Sequence, residues 1–291
     1  MKTRQNYLET VVHGIFLLLG LVTVACVLLI TAYLVISGIP AIREIGIVKF
    51  LFGAEWASTA AEPKYGILPF ILTSVYGTAG AILLGVPVGF FTAVYLAKKA
   101  PKSVKEIVGQ AVSMLAGIPS VVYGLVGMIV LVPAIRKLFD LSSGACLLAA
   151  ILVLAVMILP SIINVSETAL RAVPREYEEA SLALGATEIE TYFRVSLPAA
   201  SSGVATAVVL GVGRAIGEAM AIIMVAGNVA NMPGLFTSVR FLTTASASER
   251  SYAAYGSLQR NALYSIGLVL FLFIMLINVL LNVFIKNKKE D

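Results

Sequence analysis

Long windows without a single Asp, Glu, Lys or Arg dominate this sequence. None occurs between Glu9 and Arg43, Lys64 and Lys98, Glu106 and Arg136, Asp140 and Glu167, or Arg260 and Lys286. Each window exceeds the ~20 residues that carry a helix across ~30 Å of hydrocarbon. A helix satisfies its backbone polar groups internally, so each window predicts a transmembrane helix. A sixth predicted span lies between Arg194 and Arg240, interrupted only by Arg214 and Glu218. The helices are expected near 14–36, 67–97, 110–132, 143–166, 199–226 and 261–285. Composition agrees: of 291 residues, 59% are hydrophobic and 13% charged, an apolar excess that a soluble globule of this length cannot bury. The fold class is therefore an all-α membrane protein with six transmembrane helices. The first apolar run outlasts the ~7–15 residues of a signal-peptide core and is read as a retained helix.

The basic residues set an orientation. Lys98, Lys99, Lys102 and Lys105, and again Lys286, Lys288 and Lys289, abut helix ends that fall on the same side. Positive residues favour the cytoplasmic face, so both termini are expected there, in a multi-pass protein of the cytoplasmic membrane. The net charge of +5 is read as these flanks meeting the lipid bilayer, not as a nucleic-acid surface. The chain divides into 1–66 (tail, first helix and a long outer loop), 67–285 (the transmembrane domain) and 286–291 (a cytoplasmic tail). The outer segments 37–66 and 227–260 read either as docking surfaces or as caps over the helices.

Several chemistries are missing. There is no Gly-x-x-x-x-Gly-Lys-Ser/Thr nucleotide cradle, no His-Glu-x-x-His helix and no Gly-x-Ser-x-Gly elbow,. Cys26, Cys146 and the single histidine, His13, make no metal-ligand spacing,. The chain does not read as an enzyme by itself, and no metal site is expected.

The stretch 167–198, ETALRAVPREYEEASLALGATEIETYFRVSLP, is the least membrane-like. Pro174 with Glu176, Glu178 and Glu179 suits a helix start. Gly185 suits its end, and Thr187-x-x-Glu190 is a capping box that opens a second short helix. Two defined helices on a cytoplasmic loop favour a docking element over a connector. A bulky charge at Gly185 is expected to clash with the turn between them.

Glu179-Ala180-Ser181, three residues, Gly185, nine residues and Val195-Ser196-Leu197-Pro198 resemble the EAA loop of ABC importer permeases, with Ser181 and Val195 as the departures. The segments Leu170–Pro174, Ala183–Thr187, Gly117–Gly124 and Gly211–Ala221 resemble phosphate importer permeases, the PstC-type subunit more than its PstA-type partner. The resemblance implies the type I ABC importer permease architecture. It implies that Glu178, Glu179, Ala180, Ser181 and Gly185 couple to an ATPase. It further implies a second homologous permease subunit, two ATPase subunits that bind the ATP and Mg, and an extracytoplasmic phosphate-binding protein; no cofactor belongs to this chain. Sulfate, molybdate or tungstate remain alternative cargoes, and a secondary carrier a more distant one.

Two further features bear on transport. Arg214 falls ~22 Å into the expected fifth helix, at ~1.5 Å per residue. An ionisable group there costs at least ~2.5–3.5 kcal/mol and marks a function. Glu218, four residues on, is expected on the same helical face, where it would neutralise Arg214. The pair reads as a polar anion pathway or as a structural bridge. Gly117-Ile118-Pro119-Ser120 is the strongest candidate for a broken helix, since Pro119 lacks an N–H. Gly85-x-x-x-Gly89 and Gly213-x-x-x-Gly217 would let helices approach closely. Asn164, Tyr123 and Asn228 are further polar candidates.

Overall fold

The computed structural model of the chain describes residues 2–287, so residues 288–291 of the expected tail lie outside it. The elements in order are α1 (Lys2–Ile45), α2 (Ile47–Phe52), a two-residue hairpin β1 (Trp56–Ala57) and β2 (Lys64–Tyr65), α3 (Leu68–Lys98), α4 (Lys102–Gly117) and α5 (Ser120–Val126). A wide π turn, Gly127–Leu131, leads to α6 (Val132–Leu138), and α7 is Leu147–Arg171. Then come α8 (Arg175–Ala183), α9 (Glu188–Thr191), a second π turn (Tyr192–Ser196), α10 (Leu197–Ala199), α11 (Ser201–Gly217), α12 (Met220–Val225), α13 (Leu242–Glu249) and α14 (Leu258–Asn287). Among the described residues, five helices are long and apolar enough to cross a membrane, and the pair Glu188–Ala199 and Ser201–Gly217, bent by 72°, makes a sixth. Segments 99–101 and 172–200 form one end of the bundle, the near end; 46–67, 139–146 and 226–257 form the far end.

The core is built around α7, whose Ala149, Ala150, Leu154, Met157, Ile158 and Ile162 are buried. Its main neighbour, α3, carries a stripe of small buried residues at four-residue spacing, Gly77, Ala81, Gly85 and Gly89. A ridge of Ile158 and Ile162 on α7 fills the room these leave. A Cβ at Gly85 would sit 2.7 Å from Ile158 Cδ1, and one at Gly89 2.9 Å from Ile162 Cγ2. In lipid, helices associate by such close packing, because burying apolar surface from one hydrocarbon into another gains little. Gly213 and Gly217 differ, since a Cβ at either meets nothing within 4 Å. Gly85→Leu is therefore expected to destabilise the chain by ~1–3 kcal/mol or more through overpacking, lowering the thermal unfolding midpoint of the purified protein. Gly213→Ala should leave that midpoint unchanged; equal effects at both sites would refute the assignment of the two glycine pairs.

Three expected helices need correction. The first extends beyond 14–36: Gly38 packs on the Ser265 backbone (a Cβ would lie 3.1 Å from Ser265 Cα), so contact with α14 carries the helix on. It stops where Gly46 takes φ +88. The helix expected over 110–132 is two helices. Ile118 and Pro119 are extended (ψ 126 and 141) and α5 begins afresh at Ser120, so the membrane-length segment is Ser120–Leu138. A residue before proline avoids the helical region and proline cannot donate. Pro87 and Pro160, by contrast, lie inside continuous helices. The span expected over 199–226 ends at Gly217, and Glu218 is extended (ψ 131) before α12 starts at Met220.

Beyond α12 the chain is non-helical over 226–241 and folds back onto the bundle. Gly227 and Asn228 take φ +87 and +56, which turns the chain. The carbonyls of Leu235 and Thr237 accept from Leu148 and Leu147 N–H at 2.9 and 3.1 Å. Two orphan donors at the start of α7 are thereby satisfied.

Candidate functional site

Arg214 stands at the edge of the exposed stripe of α11, partly covered itself. Thr206, Leu210 and Gly217 are exposed at helical spacing, with Gly213 and Arg214 half-buried between them, while Ala207, Gly211 and Ala215 face inward. Among the described residues Arg214 makes no ion pair. The expected i,i+4 pair with Glu218 is corrected, because Glu218 lies past the helix end. Its Oε1 accepts from Ala221 N–H at 3.0 Å and its carbonyl from Thr243 Oγ1 at 2.8 Å. The carboxylate thus serves the free amides that open α12, where negative charge is favoured. A sequence signal existed: a glycine that ends a helix, followed by an acid that can cap the next.

Other polar candidates hold backbone. Tyr123 O–H donates to Leu115 O at 2.7 Å, fastening α5 to the last turn of α4 across the Gly117–Pro119 break. Asn228 Nδ2 donates to Ile223 O at 2.6 Å. At Asn164 it is the backbone carbonyl that takes part, accepting from the Thr168 Oγ1 hydroxyl at 2.7 Å.

Sequence reasoning missed one cluster. At the far end Arg240 pairs with Glu249 and donates from Nε to Asn228 O at 2.9 Å. Glu249 also accepts from Trp56 Nε1 at 3.0 Å and from Ser58 Oγ at 2.9 Å. This single carboxylate ties the 37–66 loop to the folded-back segment and to α13. Arg240 precedes α13 and Glu249 ends it, nine residues on, a spacing that announces no helical pair.

At the near end, α8 follows Pro174 and closes as the glycine pattern predicts. Gly185 takes φ +89, and its N–H donates to Leu182 O at 2.9 Å while Ala186 N–H donates to Ser181 O at 3.2 Å. This is a Schellman closure. A Cβ at Gly185 would meet nothing within 4 Å, so the expected clash is corrected: the obstacle to a side chain there is the backbone angle. The capping box forms, with Thr187 Oγ1 accepting from Glu190 N–H and Glu190 Oε2 accepting from Thr187 N–H at 3.0 Å. Thr187 Oγ1 also donates to Glu190 Oε2 at 3.0 Å, and the Thr187 N–H and hydroxyl together, the N–H first, hold the Glu190 carboxyl below its ordinary range.

Glu178 and Glu179, adjacent in sequence, face different ways. Glu178 is turned inward, pairs with Lys98 at the end of α3 and accepts from Ser196 Oγ at 2.7 Å. Burial pushes its carboxyl up, but the Lys98 and Ser196 hydrogen bonds and the Lys98 and Arg175 charges outweigh that and hold it below the usual carboxylate range. Glu179 and Ala180 are exposed, and Ser181 Oγ shares a hydrogen bond with Thr191 Oγ1 at 2.9 Å. Leu184, 90% exposed, stands with Tyr177, Leu182 and Ile189 on the open face.

The comparisons with known proteins agree with this geometry. Residues 85–288 match the family model "Binding-protein-dependent transport system inner membrane component". The Bacillus subtilis "probable ABC transporter permease protein YqgH" is 39% identical over 96% of this chain and 94% of its own. The Haemophilus influenzae "phosphate transport system permease protein PstC" is 32% identical over 99% of this chain and 98% of its own. Its Pasteurella multocida counterpart is 34% identical over 77% and 75%. Among solved structures, the inward-facing MetNI methionine ABC transporter superposes with TM-score 0.60 at 21% identity, over 76% of this chain and 95% of that one. A bacterial alginate ABC transporter gives 0.62 at 16%, over 92% and 91%. The fold is that of type I ABC importer permeases, and this multi-pass membrane chain belongs to the family of binding-protein-dependent transport system inner membrane components.

Proposed function

We propose that the chain is the subunit of an ATP-driven importer through which inorganic phosphate crosses the membrane. The observation that carries this reading is Arg214, half-buried on the uncovered stripe of α11, with the nearby carboxylate Glu218 committed to α12. An arginine without a carboxylate partner inside the bilayer is costly alone, and its planar donor fork suits an oxyanion. The PstC relatives point to phosphate as that oxyanion. The uncovered stripe, with the open Gly213 and Gly217, would face a second, PstA-type permease subunit across a shared pathway. Glu218 lies four residues past Arg214 and repels a fully ionised anion, which keeps binding weak enough for release.

The near end would face the cytoplasm, placing both termini there. The exposed Tyr177, Leu184 and Ile189 face, with Glu179, Ala180 and Ser181, would seat one of two ATPase subunits that bind ATP and Mg. Glu178 would pass the motion of α8 to Lys98 and hence to α3. The break at Gly117 and Pro119 would let α4 and α5 tilt independently. The far end, braced by Arg240 and Glu249, would receive the phosphate-binding protein.

The test is uptake of labelled phosphate in cells lacking this gene and complemented with the wild-type chain, with unlabelled sulfate, molybdate and tungstate as competitors. Restored uptake that excess phosphate alone displaces is the expected result. Failure to restore it with all partners present, or displacement by another oxyanion, would overturn the assignment of cargo.

A further inference from the structure

A cleft of about 560 Å³ opens at the near end, where α3, α4, α7 and α8 meet. Four cations line it, one from each element: Lys98, Lys105, Arg171 and Arg175. Two carboxylates, Glu178 and Glu179, line it as well, which leaves an excess of positive charge; Lys98 is matched by Glu178, and Arg171 by Glu167. Lys105 and Arg175 form no ion pair among the described residues. We infer that this cleft binds a phosphate-bearing anion, the phosphodiester of an anionic phospholipid or free orthophosphate, between Lys105 and Arg175.

The chemistry favours such a ligand over water. Burial, and then the Arg171 charge, hold the Lys105 amine below its ordinary range. A negative group seated beside it would remove that penalty. Basic pockets between membrane helices take up phosphate head groups in this way. The cleft is large enough for a head group, and Arg175 offers a fork that a phosphate can bridge. Because Arg175 belongs to α8 and Lys105 to α4, a bound anion would tie the exposed α8 to the membrane body and oppose its movement. The inference does not depend on which solute the Arg214 pathway carries.

The test uses the whole transporter, with its partner subunits, in phosphatidylcholine nanodiscs. Limited acetylation is read by mass spectrometry at Lys105, with exposed Lys99 and Lys102 as internal standards. Orthophosphate, or phosphatidylglycerol in the disc, is added against chloride of equal ionic strength. The expected result is that one addition or both slow Lys105 acetylation by about tenfold, the effect of a one-unit rise in pKa, with the standards unmoved. Protection by orthophosphate alone identifies the free anion, and protection by phosphatidylglycerol alone identifies the lipid. Arg175 is exposed, so Arg175→Gln leaves the packing intact and should abolish most of the protection. An unmoved Lys105 under both additions, or equal protection in Arg175→Gln, would overturn the site. Arg214→Gln should keep the protection, which separates failure here from failure of the transport reading.

Discussion

Replacing Arg214 by glutamine is expected to bring phosphate uptake close to background while the chain stays in the membrane at its normal level. Glutamine keeps a polar head of similar reach but loses the charge and the fork. Truncating one member of a desolvated charged hydrogen-bond pair costs ~2–5 kcal/mol, so transport should fall at least roughly thirtyfold. Stability should not fall with it, because Arg214 holds no carboxylate among the described residues and sits at the edge of an uncovered face. Removing an uncompensated intramembrane charge even favours insertion. The measurement pairs labelled uptake with quantitation of the chain in purified membranes. Near-normal uptake in Arg214→Gln would reduce the arginine to a structural role.

Gly185→Glu should have the second largest effect, and on a different quantity. The glycine sits at φ +89, where an L side chain costs ~1–2 kcal/mol. The side chain itself has open space, so the fold survives while the closure between α8 and α9 loosens. The new carboxylate would also lie beside Leu184 in the exposed apolar face. Proteoliposomes of the whole transporter should then hydrolyse ATP at a basal rate and move about tenfold less phosphate per ATP, the effect of ~1.4 kcal/mol on productive docking. Gly185→Asn tolerates the left-handed region and should retain most of the coupling. A wild-type ratio of phosphate to ATP in Gly185→Glu would show that this turn transmits nothing.

What could be read from the sequence followed the strength of the local physics. Charge-free windows predicted the spans near 67–97, 143–166 and 261–285 well, because a single requirement, satisfying the backbone in lipid, governs them. The α8–α9 turn was legible for a similar reason: Gly185 and the Thr187–Glu190 box are local signals that need no tertiary partner. The interruptions were harder. An apolar window ignores a proline in its middle, so charge spacing alone predicts one helix through Gly117 and Pro119, where the chain makes two. The end of α11 was hidden by the helical spacing of Arg214 and Glu218, which suggested a pair where the chain in fact opens. Nor could spacing foresee that Glu178 and Glu179 would part, since that depends on where Lys98 and Ser196 arrive from elsewhere. The Arg240–Glu249 cluster is purely tertiary and left no trace in the sequence.

That cluster also gives the molecule a built-in optical reporter. Trp56 is the one tryptophan in the chain, it is 8% exposed, and its indole N–H rests on Glu249. Tryptophan emission from this subunit therefore originates at the point where the 37–66 loop meets the folded-back segment. Its colour and intensity register the wetness and charge of that one junction. Events at the far end can be followed in real time without attaching a dye, provided the partner chains are made free of tryptophan or their signal is subtracted.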